Sequence, residues 1–569
     1  MKVQIVGGPS VALTKNEFLA QGGEGSIYVK GGTAFKIYHD PAKMIPVGKI
    51  EELAKIQDNK VIRPLSVLMD EKKNAVGVTY SFIPDAESVC KLFTKAFKDR
   101  NGINLSDVGE LVHQMRETVQ RVHDAHILIV DLNELNLLLD GKTFKNIYFI
   151  DTDSWQTPHF KATAIMDYVR DRKVVNNNFT ELSDWFSFGV VTFQMFMGIH
   201  PYKGTFKGTP ILKDVDERMN AGVSVFNKDV SLPKVCPSFG VIPKGYLDWY
   251  ERVFERGERI PPPLKLDQIV IFVSPTPVNL TSSGRLVMDE INSYGDEILG
   301  VWDSLGSTVV KTSKEYYVSD KKTPVDLTYK EFVFFNTRNE ALRLQVHPPT
   351  GNRIDAHSIL DLARRPPVEM YLTLNIDQVM TTDGRLYAKC GALIVEIAAK
   401  DICSMTQSIS VLPNATKLYE GVAIQDLLGT PNVTIFPKSG TTYQFNVAEL
   451  IGSRIISAKF DCGVLMVIGA SKKGKFSRFV FRFAKDYSGY DVRVVNDVDA
   501  SLPNFVTTDT GVCICLTHEE KLEVFSSKMG SPQIQTIEDQ NLSGDMILVK
   551  LSGRVGFYRG NKLYRLQMK

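Results

Sequence analysis

The chain has 569 residues, with 67 Lys+Arg against 65 Asp+Glu and a formal net charge of +2. That length exceeds the roughly 250–300 residues at which a single core stops growing, so more than one domain is expected. A 43% apolar, 23% charged composition excludes wholesale disorder, collagen and coiled coil, and near-neutral charge argues against a coat for nucleic acid or an anionic membrane.

The first ten residues, MKVQIVGGPS, carry one Lys and a short apolar stretch before a Gly pair, so a secretory signal is not expected. In residues 18–40, strand-like residues run into Gly22, Gly23 and Gly25, then into Ile27, Tyr28 and Val29. A second turn at Gly31 and Gly32 leads to a strand carrying Lys36. Glycines let a backbone approach phosphate oxygens and present N–H donors, and a nearby lysine neutralises phosphate charge. Glycine pairs between strands are equally the mark of ordinary hairpin turns. A helix is expected from Ser106 as N-cap through Leu111, Val112, Met115, Val119 and Val122, whose three- and four-residue spacing lines one face. His123 and His126, at its end, read as packing or capping residues.

Residues 121–155 hold Asp131 and Asn136 five positions apart. A strand over 136–139, a turn at Asp140 and Gly141, and a strand over 146–150 ending in Asp151 follow. At the ends of such a hairpin, an acceptor for a hydroxyl proton and two oxygen ligands for Mg²⁺ can converge. Any one of these residues alone would read as an Asx turn. The most apolar run, Trp185 to Ile199, is interrupted by Ser187, Thr192 and Gln194 and falls short of the roughly 18 residues a membrane span requires.

The texture changes near residues 256–267, RGERIPPPLKLD, and 261–267 is expected to be a linker because a proline triplet continues neither a helix nor a central strand. Beyond it, runs such as 463–483, 511–527 and 553–567 read as strand, polar turn, strand. Roughly 300 residues of successive hairpins need a closed or stacked all-β architecture to manage their edges. A β-propeller of six or seven blades fits, with a pair of large β-sandwiches as the alternative. Echoes of one phrase support repetition: SGRLVMDE (283–290), DGRLYAKCG (383–391) and SGRVGFYRG (552–560). Residues 347–367 are expected to be irregular, His347 and His357 lack partners at metal spacing, and the lysines of 472–475 suit a solvated turn. Trp155, Trp185, Trp249 and Trp302 are expected in cores. Seven scattered cysteines without a CxxC pair point to a reducing compartment.

Taken together, the motifs of the first 260 residues resemble the protein-kinase fold. AQGGEGSIY resembles the Gly-rich loop, AFKIY the strand with the phosphate-pairing lysine, IVDLNELN the catalytic loop HRDLxxxN, and FIDTDSW the metal-binding DFG segment. SDWFSFGVVTFQMFMGIHPY (183–202) resembles the buried C-lobe helix, with Asp184, Ser187 and Gly189 where DxWSxG has them, and Gly198 and Pro201 at its exit. The Asp-Thr-Asp-Ser spelling is similar to a bacterial and phage branch of kinase-like proteins.

The resemblance implies an α+β bilobal kinase-like domain over 1–260, with an N-lobe to about residue 84 and a C-lobe over 85–260, before an all-β domain over 268–569. It implies that Lys36 pairs with ATP phosphates, that Gly22, Gly23 and Gly25 cover them, and that Asp131 takes the acceptor proton. Asn136 and Asp151 would hold Mg²⁺. Glu52 would pair with Lys36, with Glu51 as runner-up, and Tyr80 to Pro84, including Ser81 and Ile83, would form the hinge against the base. Ala20 replaces the first loop glycine, Ile129 and Val130 replace His-Arg, and Asn133 replaces the usual lysine. Without that arginine, a phosphorylated activation loop has no standard charge to dock on. Thr152 and Asp153 stand for the Phe and Gly of DFG; Asp153 is either a second metal ligand or a turn-capping carboxylate. The implied activity is a cytoplasmic serine/threonine kinase (host cytoplasm if phage-encoded) whose β-domain recruits a protein substrate or partner, with no nucleic acid or membrane partner. A pseudokinase scaffold and a small-molecule kinase are the alternatives.

Overall fold

The computed structural model describes residues 1–209, 212, 214–265, 285–347, 356–362, 369–399, 403–438 and 440–569. The chain divides into two compact units, the bulk of the first before residue 266 and the bulk of the second after residue 284. The first is mixed α/β, the second all-β, and the described residues form six α-helices. Among them, no helix is long and apolar enough to cross a membrane.

The first unit opens with β1 (Lys2–Ile5), β2 (Ser10–Ala12), β3 (Phe18–Gln21), β4 (Gly25–Lys30) and β5 (Thr33–Tyr38). Then come α1 (Val47–Leu53), β6 (Val67–Met69) and β7 (Ala75–Ser81), and one seven-stranded sheet runs β2-β1-β6-β7-β5-β4-β3. Both neighbours of β5 approach it at a glycine. A Cβ on Gly25 would lie 2.3 Å from the Ile37 carbonyl oxygen, and one on Gly77 would lie 2.1 Å from that of Lys36. Gly77→Ala is therefore expected to push β7 off β5 at a cost of about 1–3 kcal/mol, read as a lower unfolding midpoint; an unchanged midpoint would show that the strands part freely.

The remainder of this unit carries β8 (Glu87–Ser88), α2 (Lys95–Arg100), α3 (Leu105–Asp124), β9 (Leu137–Leu139), β10 (Ile147–Phe149), α4 (Glu181–Met197), α5 (Val215–Ala221) and α6 (Lys244–Phe254). The expected hairpin is β9–β10, with Leu139 opposite Ile147 and Leu137 opposite Phe149. Leu111, Val112, Met115, Val119 and Val122 are fully buried on α3. The helix begins earlier than Ser106. Asn104 is the N-cap, because Asp107 stands three residues on and the two close a capping box, Asp107 N donating to Asn104 Oδ1 at 3.0 Å and Asn104 N to Asp107 Oδ2 at 2.9 Å. Helix α4 is buried nearly all round, its apolar residues spread over every face rather than one stripe, and packs against Trp249, Tyr250 and Phe254 of α6.

The described part of the proline segment is bound rather than free. Trp249 Nε1 donates to the Ile260 carbonyl at 3.0 Å and the Tyr246 hydroxyl to that of Pro263 at 3.4 Å. Residues 266 and 267 of the expected linker lie outside the described residues.

Among the described residues, the second unit is built of seven four-stranded sheets. Six use four consecutive strands. The seventh joins Ile547–Leu551, Arg554–Arg559 and Lys562–Met568 to Leu286–Ser293, which pairs antiparallel with Lys562–Met568. Apolar clusters link each sheet to the next in chain order, for example Val433 and Ile435 with Leu465 and Val467. A further cluster, Ile298 and Val310 with Tyr558 and Leu563, joins the last sheet to the first. The echoes DGRLYAKCG and SGRVGFYRG mark equivalent tight turns, with φ positive at Asp383, Gly384, Ser552 and Gly553 as two-residue hairpins require. The first echo differs: Ser283 and Gly284 lie outside the described residues, and its remainder begins an edge strand. Of residues 347–367, expected to be irregular, 348–355 and 363–367 lie outside the described residues, and the described part is not irregular. Ala356–Asp361 is a strand paired on both sides, which the proline-rich flanks conceal. Trp155, Trp185 and Trp249 are buried, whereas Trp302 is half-buried.

Candidate functional site

Alternation along β5 sends Phe35 and Ile37 into the core with Val3, Leu13 and Leu68, so Lys36 projects from the opposite face. Its Nζ donates to Asp153 Oδ2 at 2.5 Å and to Glu24 Oε2 at 3.1 Å. The Tyr38 hydroxyl donates to the same Asp153 oxygen at 3.2 Å. Burial by itself would lower the Lys36 pKa, but the Asp153 carboxylate outweighs it and the ammonium is held well above its ordinary range. Glu24 belongs to the glycine turn, which Gly22 N closes by donating to the Gly25 carbonyl at 2.9 Å. The turn and the lysine therefore meet.

The expected Lys36–Glu52 pair does not form, nor does the Glu51 alternative. Glu52 accepts from the His159 backbone N at 3.4 Å and is in close contact with His159 Nδ1, while Glu51 is exposed. The reason is local. Lys49 and Glu52 share one face of α1 three residues apart, and Lys49, 2% exposed, takes the end near Lys36 by donating Nζ to the Asp153 carbonyl at 2.7 Å. Asp153, read from sequence as a metal ligand or a turn cap, is the partner of Lys36.

On the other side, Asp131 Oδ1 accepts from Met166 N at 2.7 Å and Oδ2 from Asn136 Nδ2 at 3.2 Å. Asn136 Nδ2 also reaches the Asp131 carbonyl at 3.2 Å, so its amide oxygen turns away from Asp131. Burial lifts the Asp131 carboxyl above the usual carboxylate range. Val130, just before it, has a φ of 64°, a left-handed conformation that costs a β-branched residue about 1–3 kcal/mol. Asp184 of α4 holds that conformation. Wholly buried, it accepts from Ile129 N at 2.7 Å, Val130 N at 2.8 Å and His123 Nε2 at 3.0 Å. His123 thus orients the loop from α3.

Asp151, also left-handed at φ 61°, follows β10, and its carbonyl accepts from Ser154 N at 3.1 Å. Its carboxyl is hydrogen-bonded to that of Asp153. Burial and the Asp153 charge push Asp151 up, while Lys36 holds Asp153 down. Asp151 and Asp153 supply carboxyl oxygens, and the Ile150 N–H donating to the Asn136 carbonyl at 3.0 Å brings Asn136 to the same end of the hairpin, so the donor types present fit a small divalent cation. Ser81 closes β7 opposite Thr33 and is exposed, and Ile83 is half-buried beyond it. Among the described residues, no hydrogen bond joins either to Lys36 or Asp153.

Sequence reasoning missed three features. Lys49 lies in a charge-rich run that reads as a solvated helix face. Glu134 is buried beside Asp131, its Oε2 without a partner, and burial pushes it up to about 7. Asp171, in the poorly matching stretch 166–173, receives a two-pronged contact from Arg259, Nε and Nη2 both at 2.6 Å. No protein-family model matches this chain, and no curated protein matches it.

Proposed function

We propose that the first unit is an ATP- and Mg²⁺-dependent phosphotransferase of protein-kinase type acting on a Ser or Thr hydroxyl. The observation that supports this reading is geometric: Asn136 Nδ2 donates to Asp131, the Ile150 N–H donates to the Asn136 carbonyl next to Asp151, and Lys36 holds Asp153 two residues further on. Phosphoryl transfer asks little of a protein beyond position and charge neutralisation, and these residue types supply both. Asn136 and Asp151 would hold Mg²⁺, which neutralises phosphate oxygens when bound. Lys36 would exchange Glu24 and Asp153 for phosphate, Gly22, Gly23 and Gly25 would let the turn close over it, and Asp131 would orient the acceptor hydroxyl and take its proton. Ser81 and Ile83 would face the base.

The second unit is, in this reading, a seven-bladed β-propeller that recruits a protein substrate or partner. Its seven four-stranded sheets, their cyclic apolar clusters and the pairing of Leu286–Ser293 with Lys562–Met568 support it. The seven cysteines are thiols rather than disulfides, which suits a cytoplasmic setting.

One observation favours a second reading, a nucleotide-binding scaffold without transfer: Lys36 is already satisfied by two carboxylates. Labelled ATP with Mg²⁺, offered to the full chain alone and with a generic basic protein, separates the two. Transfer is expected, and Asp131→Asn should lower it by roughly 10²–10⁴-fold. Nucleotide binding without transfer, equal in both proteins, would assign the scaffold. Label passing only to a sugar or lipid headgroup would assign a small-molecule kinase.

A further inference from the structure

We infer that Lys49 is a positioning residue of this site, and that α1 acts on the metal-holding segment through it rather than on Lys36 through a glutamate. The inference rests on the phosphotransferase reading. An ammonium is almost never buried without a purpose-built partner, yet Lys49 is 2% exposed and its Nζ lies 2.7 Å from the Asp153 carbonyl oxygen. Its charge faces Asp153, Asp151 and Glu52. Asp153 is consequently gripped at both ends, its carbonyl by Lys49 and its carboxylate by Lys36 and Tyr38. Asp151 lies two residues upstream in the same tight turn, so wherever Lys49 fixes Asp153 it also fixes the Asp151 carboxylate.

Glu52 extends the grip. One turn along the same face, it takes the His159 backbone N–H, so α1 clamps the segment at Asp153 and again at His159. The expected link from helix to β5 is thereby rerouted. Lys36 and Lys49 of α1 both meet Asp153, which serves as the hub between the strand lysine, the helix lysine and the turn that carries Asp151. Lys49 Nζ is committed to the Asp153 carbonyl. Its effect is on the cation's ligand.

The test uses the full chain, Mn²⁺ as the probe ion and a non-hydrolysable ATP analogue. Mn²⁺ binding is followed by electron paramagnetic resonance, and analogue binding in chelator by calorimetry. Lys49→Met is expected to weaken Mn²⁺ by roughly 10–100-fold, as loss of a residue supporting a metal ligand does, with analogue affinity in chelator unchanged. Lys49→Arg, which keeps the charge and a donor, should restore most of it. Should Lys49→Met fail to fold, Lys49→Gln carries the test: it leaves a donor for the carbonyl, removes the charge, and is also expected to weaken Mn²⁺. Wild-type Mn²⁺ affinity in the folded variants overturns the inference while leaving the phosphotransferase reading intact. Equal loss of analogue binding in chelator overturns it too, by making Lys49 a phosphate contact or a general support. A wild-type chain that binds neither probe removes the phosphotransferase reading, and this inference falls with it.

Discussion

Asp184→Ala is expected to destabilise the first unit by about 3–5 kcal/mol, the upper range for single substitutions. The carboxylate is wholly buried and serves three donors, Ile129 N, Val130 N and His123 Nε2. Alanine leaves all three in a dry interior, each at a cost of about 1–3 kcal/mol before any water enters. The strained φ of Val130 then loses what holds it, and Asp131, the next residue, loses its fixed position. Amide hydrogen exchange is the direct measurement: Ile129 and Val130 should lose protection in the variant while the strands of the second unit keep theirs. Asp184→Asn retains one acceptor oxygen and should fall between. Full protection in Asp184→Ala would mean that the loop is held by packing alone.

Arg259→Met should be comparably severe. Asp171 is almost fully buried, and the guanidinium meets it with two parallel contacts while lying over the Phe186 ring at 4.5 Å. Methionine matches the packing but strands a buried carboxylate, a change worth about 3–5 kcal/mol. The double variant Asp171→Leu/Arg259→Met removes both charges and should recover most of that loss, because desolvation and attraction nearly cancel in such pairs. Unfolding midpoints of the two singles and the double form the cycle. Additive losses would show that the residues act independently.

What was legible in the sequence was set by local pattern. The hairpin ending in Asp151 could be read because apolar triplets alternate with turn residues over a few positions, and α3 because its spacing is strictly helical. The start of α3 was misjudged by two residues because Ser106 is a good cap in isolation, while the reciprocal pair Asn104–Asp107 decides the matter. The partner of Lys36 was not legible at all. It depends on which of several carboxylates the fold brings within reach, and Asp153, 117 residues away, takes it while Glu52 turns to His159. The strand Ala356–Asp361 was hidden by its flanks, since proline and glycine signal breaks whatever lies between them.

The pairing of Leu286–Ser293 with Lys562–Met568 has a consequence for biosynthesis. A ribosome adding roughly 5–20 residues per second takes on the order of tens of seconds to travel from one partner strand to the other. Throughout that interval the early strand has no hydrogen-bonding neighbour, and the growing end of the nascent array presents an open edge to any other chain nearby. Latching comes last, so this half of the molecule is most exposed to misassembly just before it is finished.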